Sequence, residues 1–153
     1  IVIVAESNAQ VDESVVRLAR VGIENVKGYL IGEDDDWQRD GASVESIKQV
    51  DVTELNQRLA HGAVRVLDVR RPGEYVSGHV PGALHAPLAG LEKQIGELAF
   101  AKDSETAVIC AGGYRSSAAA SLLQKHGFTN LVNVTGGTGA WVQAGFPVEK
   151  TSD

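Results

Sequence analysis

The sequence predicts an α/β fold with a doubly wound parallel sheet, and three observations carry that reading. Short β-branched runs alternate with helical stretches along the 153 residues, one run (residues 64–68) is almost continuously apolar, and the single cysteine stands where another run ends. In order, residues 1–4 read as a strand, and Val11, Val15, Leu18 and Ala19 recur at helical spacing within an amphipathic helix over 11–20. Residues 26–30 read as a strand and 34–39 as a short helix, whereas 41–50 has no clear period and reads as a linker. Asp51 with Glu54 forms a capping box before a helix that ends at His61-Gly62. Residues 64–68 suit a parallel strand covered on both faces, and Pro72 opens a helical turn to Val76. The remaining elements are a short strand at 83–85, a helix at 91–98, a strand at 106–109, a helix at 116–126, a strand at 131–134 and a closing helix at 138–143.

Composition bounds the function. With 43% hydrophobic and 22% charged residues, the chain is long enough for one well-buried domain and somewhat more. Its net charge of −6 argues against nonspecific binding to nucleic acid or an anionic membrane, both of which need clustered cations. One cysteine cannot form an internal disulfide, so a reduced cytoplasm fits best. The apolar start, Ile1 to Val4, is too short to span a bilayer and lacks the cationic opening of a signal peptide. The absence of methionine implies a sequence that starts inside a longer gene product or follows processing.

Cys110 is the candidate nucleophile. It sits between the strand residues Thr106-Ala107-Val108-Ile109 and the loop Ala111-Gly112-Gly113-Tyr114-Arg115-Ser116, ahead of an alanine-rich helix. A strand ending at a glycine-containing turn before a helix aims backbone N–H groups and a positive dipole end at one point, which lowers a cysteine pKa. Gly112 and Gly113 permit positive φ angles that curl the amides inward, and Arg115 adds a permanent cation able to fork onto an oxyanion. The alternative, a small apolar cysteine packed at a strand end, does not account for the loop or the arginine.

Residues 110–116 resemble the active-site loop of the rhodanese family of sulfurtransferases. Leu67-Asp68-Val69-Arg70, Glu74-Tyr75 and residues 78–83 resemble that family's N-terminal signature, and Gly136-Gly137 with Trp141, Gly145, Phe146 and Pro147 its C-terminal one. The resemblance covers residues 50–149 and implies a rhodanese-like sheet. It also implies a Cys110 persulfide, Arg115 as its cation, and substrate contacts from Ala111, Gly112, Gly113, Tyr114 and Ser116. By the same resemblance Asp68 and Arg70 help hold the active-site loops, either as a structural network or in contact with the sulfur donor. Four residues separate Cys110 from Arg115, one fewer than in related phosphatase and arsenate-reductase modules, and this shorter cradle favours sulfur transfer. Those two activities and a noncatalytic docking module are the rival readings. The implied chemistry uses no metal or cofactor, and the implied partners are small sulfur donors and thiol acceptors.

An internal repeat explains the odd beginning. Residues 1–5 align with 106–110, and Gly22, Asn25, Trp37, Gly41, Val44 and Glu45 align with Gly127, Asn130, Trp141, Gly145, Val148 and Glu149. Residues 1–48 therefore read as the back half of a second, degenerate rhodanese repeat, ahead of a complete domain at 49–150. Ala5 stands where Cys110 stands and Gln10 where Arg115 stands, so that copy is expected to be catalytically dead. Its apolar helix face needs cover from an upstream segment, a second copy of the chain in a homo-oligomer, or the intact domain. The resemblance further implies a parent with tandem rhodanese modules behind a metallo-β-lactamase-like persulfide dioxygenase domain, although no histidine-rich metal motif occurs here.

Other residues carry structural expectations. His79 reads as hydrogen-bonded scaffold, His61, His85 and His126 as surface or turn residues, and Trp37 and Trp141 as core. Glu33-Asp34-Asp35-Asp36 reads as solvated carboxylates favouring a helix start.

Overall fold

The computed structural model describes residues 1–39, 41, 45–62 and 64–151, apart from the side chains of Asp34 and Asp35. The repeat match at Val44 and the reading of the Asp34 and Asp35 carboxylates lie outside the described residues. The chain divides into two compact units, 1–46 and 47–153.

The first unit runs β1 (Val2–Ala5), α1 (Asn8–Arg20), β2 (Gly28–Ile31) and α2 (Asp34–Arg39). β1 and β2 pair in parallel, with Val2 opposite Gly28 and Ala5 opposite Ile31. That register starts β2 at Gly28, two residues later than the apolar pattern predicts. Among the described residues of this unit, Ile3 and Val11 are the buried hydrophobics, while Val2 and Val4 are more than half exposed.

The second unit holds β3 (Lys48–Val50), α3 (Val52–Ala60), β4 (Arg65–Asp68), α4 (Pro72–Ser77), β5 (Leu84–His85), α5 (Leu91–Gln94), β6 (Thr106–Ile109), α6 (Tyr114–Lys125), β7 (Leu131–Val134) and α7 (Gly137–Gln143). All five strands are parallel in the order β3-β7-β6-β4-β5. Alternation along the strands loads both faces, with Val66 and Leu67 of β4 buried on opposite sides. Val66, Ala107, Ile109, Val132 and Val134 pack under Leu55 of α3 and Trp141 of α7. Leu67, Val108 and Cys110 face the other way, against Leu91 of α5 and Ala119, Ala120 and Leu123 of α6. Fully burying each leucine of this set contributes about 1.5–3 kcal/mol.

Four local departures have physical reasons. The stretch read as a linker contains β3, an edge strand of three residues with two polar side chains, too short to show a period. A domain boundary at 48/49 would cut that strand. The helix expected at 91–98 divides into α5 and a 3₁₀ turn, Ile95–Glu97, with Gly96 at the weak point. α6 begins at Tyr114, two residues early, because Gly113 takes a left-handed φ of 108° and serves as its N-cap. The capping box at α3 is half made: Asp51 Oδ1 accepts the Glu54 amide at 2.8 Å, while the Glu54 carboxylate turns to Arg58. Trp141 is buried as expected and its Nε1 donates to the Pro147 carbonyl, but Trp37 is only half-buried.

Candidate active site

β6 lies between β4 and β7, so Cys110 follows the central strand at the carboxyl edge of the sheet, where chain direction across the sheet reverses. Open α/β sheets bind ligands at that place. Cys110 Sγ accepts the Gly113 N–H at 3.1 Å, and the Ser116 hydroxyl lies 3.4 Å from it, shared with the Gly113 carbonyl at 2.9 Å. Burial pushes the thiol pKa up, yet the Ser116 hydroxyl and the amides of Ser116, Gly112 and Gly113 bring it below the ordinary cysteine value.

The loop faces the sulfur because its carbonyls are held elsewhere. Thr138 N–H donates to the Cys110 carbonyl at 2.8 Å and Gly139 N–H to the Ala111 carbonyl at 3.1 Å, so the start of α7 grips the outer side of the loop. This approach needs a glycine. A Cβ on Gly137 would fall 2.1 Å from the Cys110 carbonyl oxygen, and its φ is +56°. Within the loop only Gly113 uses positive φ; Gly112 does not, which corrects the expectation that both glycines are needed for it. The grip by Thr138 and Gly139 was not read from the sequence; its signal was the Gly136-Gly137 pair ahead of a helix.

Arg115 sits in the first turn of α6 rather than in the loop. Its two terminal nitrogens donate to the two oxygens of Glu74 at 2.7 and 2.8 Å, so its fork is closed on a carboxylate. The guanidinium holds the Glu74 carboxyl down at about 2, well below the usual range. Glu74 was passed over as a site residue, although its place three residues after the Arg71 N-cap marks it as fixed by a helix start.

Asp68 and Arg70 form a buried network. Arg70 Nε donates to both Asp68 oxygens at 3.0 and 2.9 Å, and its Nη2 donates to Asp68 Oδ2 at 2.7 Å and to the Gly78 carbonyl at 2.8 Å. The pair thereby ties β4 to the turn after α4. Arg70 also lines a cavity of about 520 Å³ with Ala111, Thr138, Gly139 and Lys150.

Residues 51–144 match the model of the rhodanese-like domain family. The chain belongs to the rhodanese-like family. A sulfurtransferase of Allochromatium vinosum is 32% identical over 103 residues, 67% of this chain and 94% of its own length. Bacillus subtilis YrkF, named as a candidate sulfur carrier, is 34% identical over 100 residues, 65% of this chain but 53% of its own, so the match spans about half of that relative. The human single-domain sulfurtransferase superposes with a TM-score of 0.58 at 29% identity, covering 64% of this chain and 97% of its own.

Other residues of the rhodanese-like site fall into place around a ring stack. Tyr75 lies between His79 and His85, at 3.7 and 4.2 Å between ring centroids, and its hydroxyl donates to the Ala83 carbonyl at 2.6 Å. His79 is the buried scaffold the sequence predicts, with Nδ1 2.9 Å from the Tyr75 carbonyl. His85 is no surface residue. It is half-buried, and its Nε2 lies 2.9 Å from the Arg70 carbonyl, which extends the stack to the Asp68–Arg70 network. Tyr114 is 91% exposed and lines a second cavity, of about 290 Å³, with Gly112, Gly113, Ser117 and Asn133. No described helix is long and apolar enough to cross a membrane.

Proposed function

We propose that this chain is a sulfurtransferase that carries sulfane sulfur as a persulfide on Cys110. The thiolate attacks the outer sulfur of thiosulfate or a low-molecular-weight persulfide. The donor's S–S bond breaks, sulfite or a thiolate leaves with the electron pair, and a Cys110 persulfide remains. In the second half-reaction an acceptor nucleophile, such as a small thiol, sulfite or a protein cysteine, attacks that outer sulfur and the Cys110 thiolate leaves. Each step exchanges one bond to sulfur for another, so no electrons come from outside and no redox cofactor is required.

The observation that carries this reading is the cradle: Sγ receives the Gly113 amide, with the Ser116 hydroxyl beside it, while α7 holds the loop carbonyls away. Preorganised N–H groups stabilise negative charge on the resident and the transferred sulfur at little reorganisation cost. Residues 1–48 take no part in the chemistry, because Ala5 and Gln10 stand where Cys110 and Arg115 act.

Mass spectrometry after treatment with thiosulfate or glutathione persulfide tests the reading. The expected result is a gain of one sulfur on the Cys110 peptide, absent from Cys110→Ser. Full sulfur transfer by Cys110→Ser, or hydrolysis of p-nitrophenyl phosphate without sulfur uptake, overturns it.

A further inference from the structure

Both cations assigned to the site by sequence are matched to carboxylates. Arg70 is closed on Asp68 and Arg115 on Glu74, the latter through two parallel hydrogen bonds. Glu74 is not a loose surface acid. Its Oε2 also accepts the Arg71 amide at 3.1 Å at the start of α4, so the helix fixes the carboxylate beneath the guanidinium. The acid is ionised throughout the neutral range.

Donor charge determines what this pairing does to the reaction. When the Cys110 thiolate takes the outer sulfur of thiosulfate, the sulfur–sulfur bond breaks and sulfite leaves as a dianion with the bonding pair. Three negative charges are present before and after. When the donor is a persulfide anion, a thiolate leaves with the pair and only two charges are present, or one when the persulfide is protonated. Peptide N–H groups serve every donor alike, but the extra charge of thiosulfate calls for a free cation. A guanidinium already forked on a carboxylate offers less of one.

We propose that Glu74 sets donor specificity by neutralising Arg115, turning the site toward low-molecular-weight persulfides and against dianionic donors such as thiosulfate. This rests on the sulfur-transfer reading above. Glu74 acts through Arg115 and is a positioning residue.

The test is Glu74→Gln, which keeps an oxygen for the Arg71 amide and nearly the same volume while removing the charge. kcat and KM are measured side by side for thiosulfate and for 2-hydroxyethyl persulfide, which carries no charge outside its sulfur, at low and at physiological salt. The expected result is a rise of about tenfold in kcat/KM for thiosulfate, mostly through KM and strongest at low salt, with persulfide changed less than about twofold. Adding Arg115→Gln should abolish the gain and return the donor ratio to near that of the wild type, because one neutral pair replaces another. The double variant also serves if Glu74→Gln alone folds poorly: a selective loss of thiosulfate in it shows that Arg115 serves that donor despite its partner, and overturns the proposal. Equal changes with both donors in Glu74→Gln overturn it as well. Failure of the wild type to load sulfur from either donor sinks the sulfur-transfer reading instead, before Glu74 is at issue.

Discussion

Each of the two units turns from a strand into a helix, and the two turns treat the helix start in opposite ways. After β1, the Ser7 hydroxyl accepts the Gln10 amide at 3.4 Å and the Gln10 side chain accepts the Glu6 amide at 2.8 Å. Local side chains satisfy those donors, as an ordinary N-cap does. After β6, Gly113 caps α6 with no side-chain hydrogen bond, and its amide goes to Cys110 Sγ. A helix start capped by side chains has fewer amides to offer, whereas one capped by glycine leaves more of them for an anion. Loss of the cysteine is therefore only part of what separates the turns; side chains take the Glu6 and Gln10 amides at the first, where the second gives the Gly113 amide to sulfur.

The most demanding trial of that contrast moves the nucleophile. In a Cys110→Ser background, Ala5→Cys should leave sulfur uptake at background, a loss of about 10³-fold or more against wild type, since its helix start is already capped. Sulfur transfer by that variant, read as mass gain on the peptide carrying position 5, would break the comparison. Next in size is the grip of α7. Gly137→Ala places a Cβ 2.1 Å from the Cys110 carbonyl oxygen, and either the loop or α7 must move. Its melting temperature should fall by several degrees, an effect of about 2–4 kcal/mol, and sulfur uptake should fall with it. Gly112→Ala is the control, because nothing lies within 4 Å of its Cβ and its φ is not positive. A melting temperature for Gly137→Ala equal to that of Gly112→Ala would show that the close approach is not a constraint.

A smaller effect comes from the sulfur's own ionisation. Because the cradle brings the Cys110 pKa below the ordinary thiol value, the rate of alkylation by iodoacetamide should reach half its plateau at a lower pH than for a free cysteine. Ser116→Ala removes the hydroxyl at 3.4 Å and should move that midpoint upward, while leaving the Gly113 amide in place. A midpoint that stays fixed would assign the lowering to the peptide amides alone.

Legibility followed the strength of each local signal. The sheet and the place of Cys110 were readable because β4 and β6 carry the apolar pair Val66-Leu67 and the apolar triplet Ala107-Val108-Ile109 and because glycine punctuates the turn into α6. β3 escaped because Lys48 and Gln49 are polar edge residues whose strand character comes from pairing with Val132 and Asn133. The loop geometry was half legible: glycine at 112 and 113 permits the positive φ that Gly113 alone of the two adopts, but the grip of Thr138 and Gly139 on the loop carbonyls joins segments about 30 residues apart in sequence. Arg115 was found as a cation but not its partner, since nothing in the local spacing brings Glu74, 41 residues away, to the guanidinium. His85 reads in sequence as a surface or turn residue because a lone histidine near a turn gives no sign of a ring stack.

The Glu74–Arg115 pair also yields the smallest effect, one of stability. The folded-state pKa of Glu74 is depressed to about 2, so its contribution is fully present above the unfolded carboxylate value of about 4.5. It is lost as pH falls from there through about 2, where the folded protein too takes up the proton. The two side chains are 36% and 35% exposed, so solvent screens the pair and the loss is modest. Melting temperatures of wild type and Glu74→Gln, followed from pH 7 down to pH 3, should converge as acid is added. The first unit has no corresponding pair to titrate, because Gln10 replaces the arginine and already accepts the Glu6 amide. Curves that stay parallel over that range would mean that the carboxylate is held no more tightly folded than unfolded, and that the guanidinium is freer to meet an anion than its contacts with Glu74 allow.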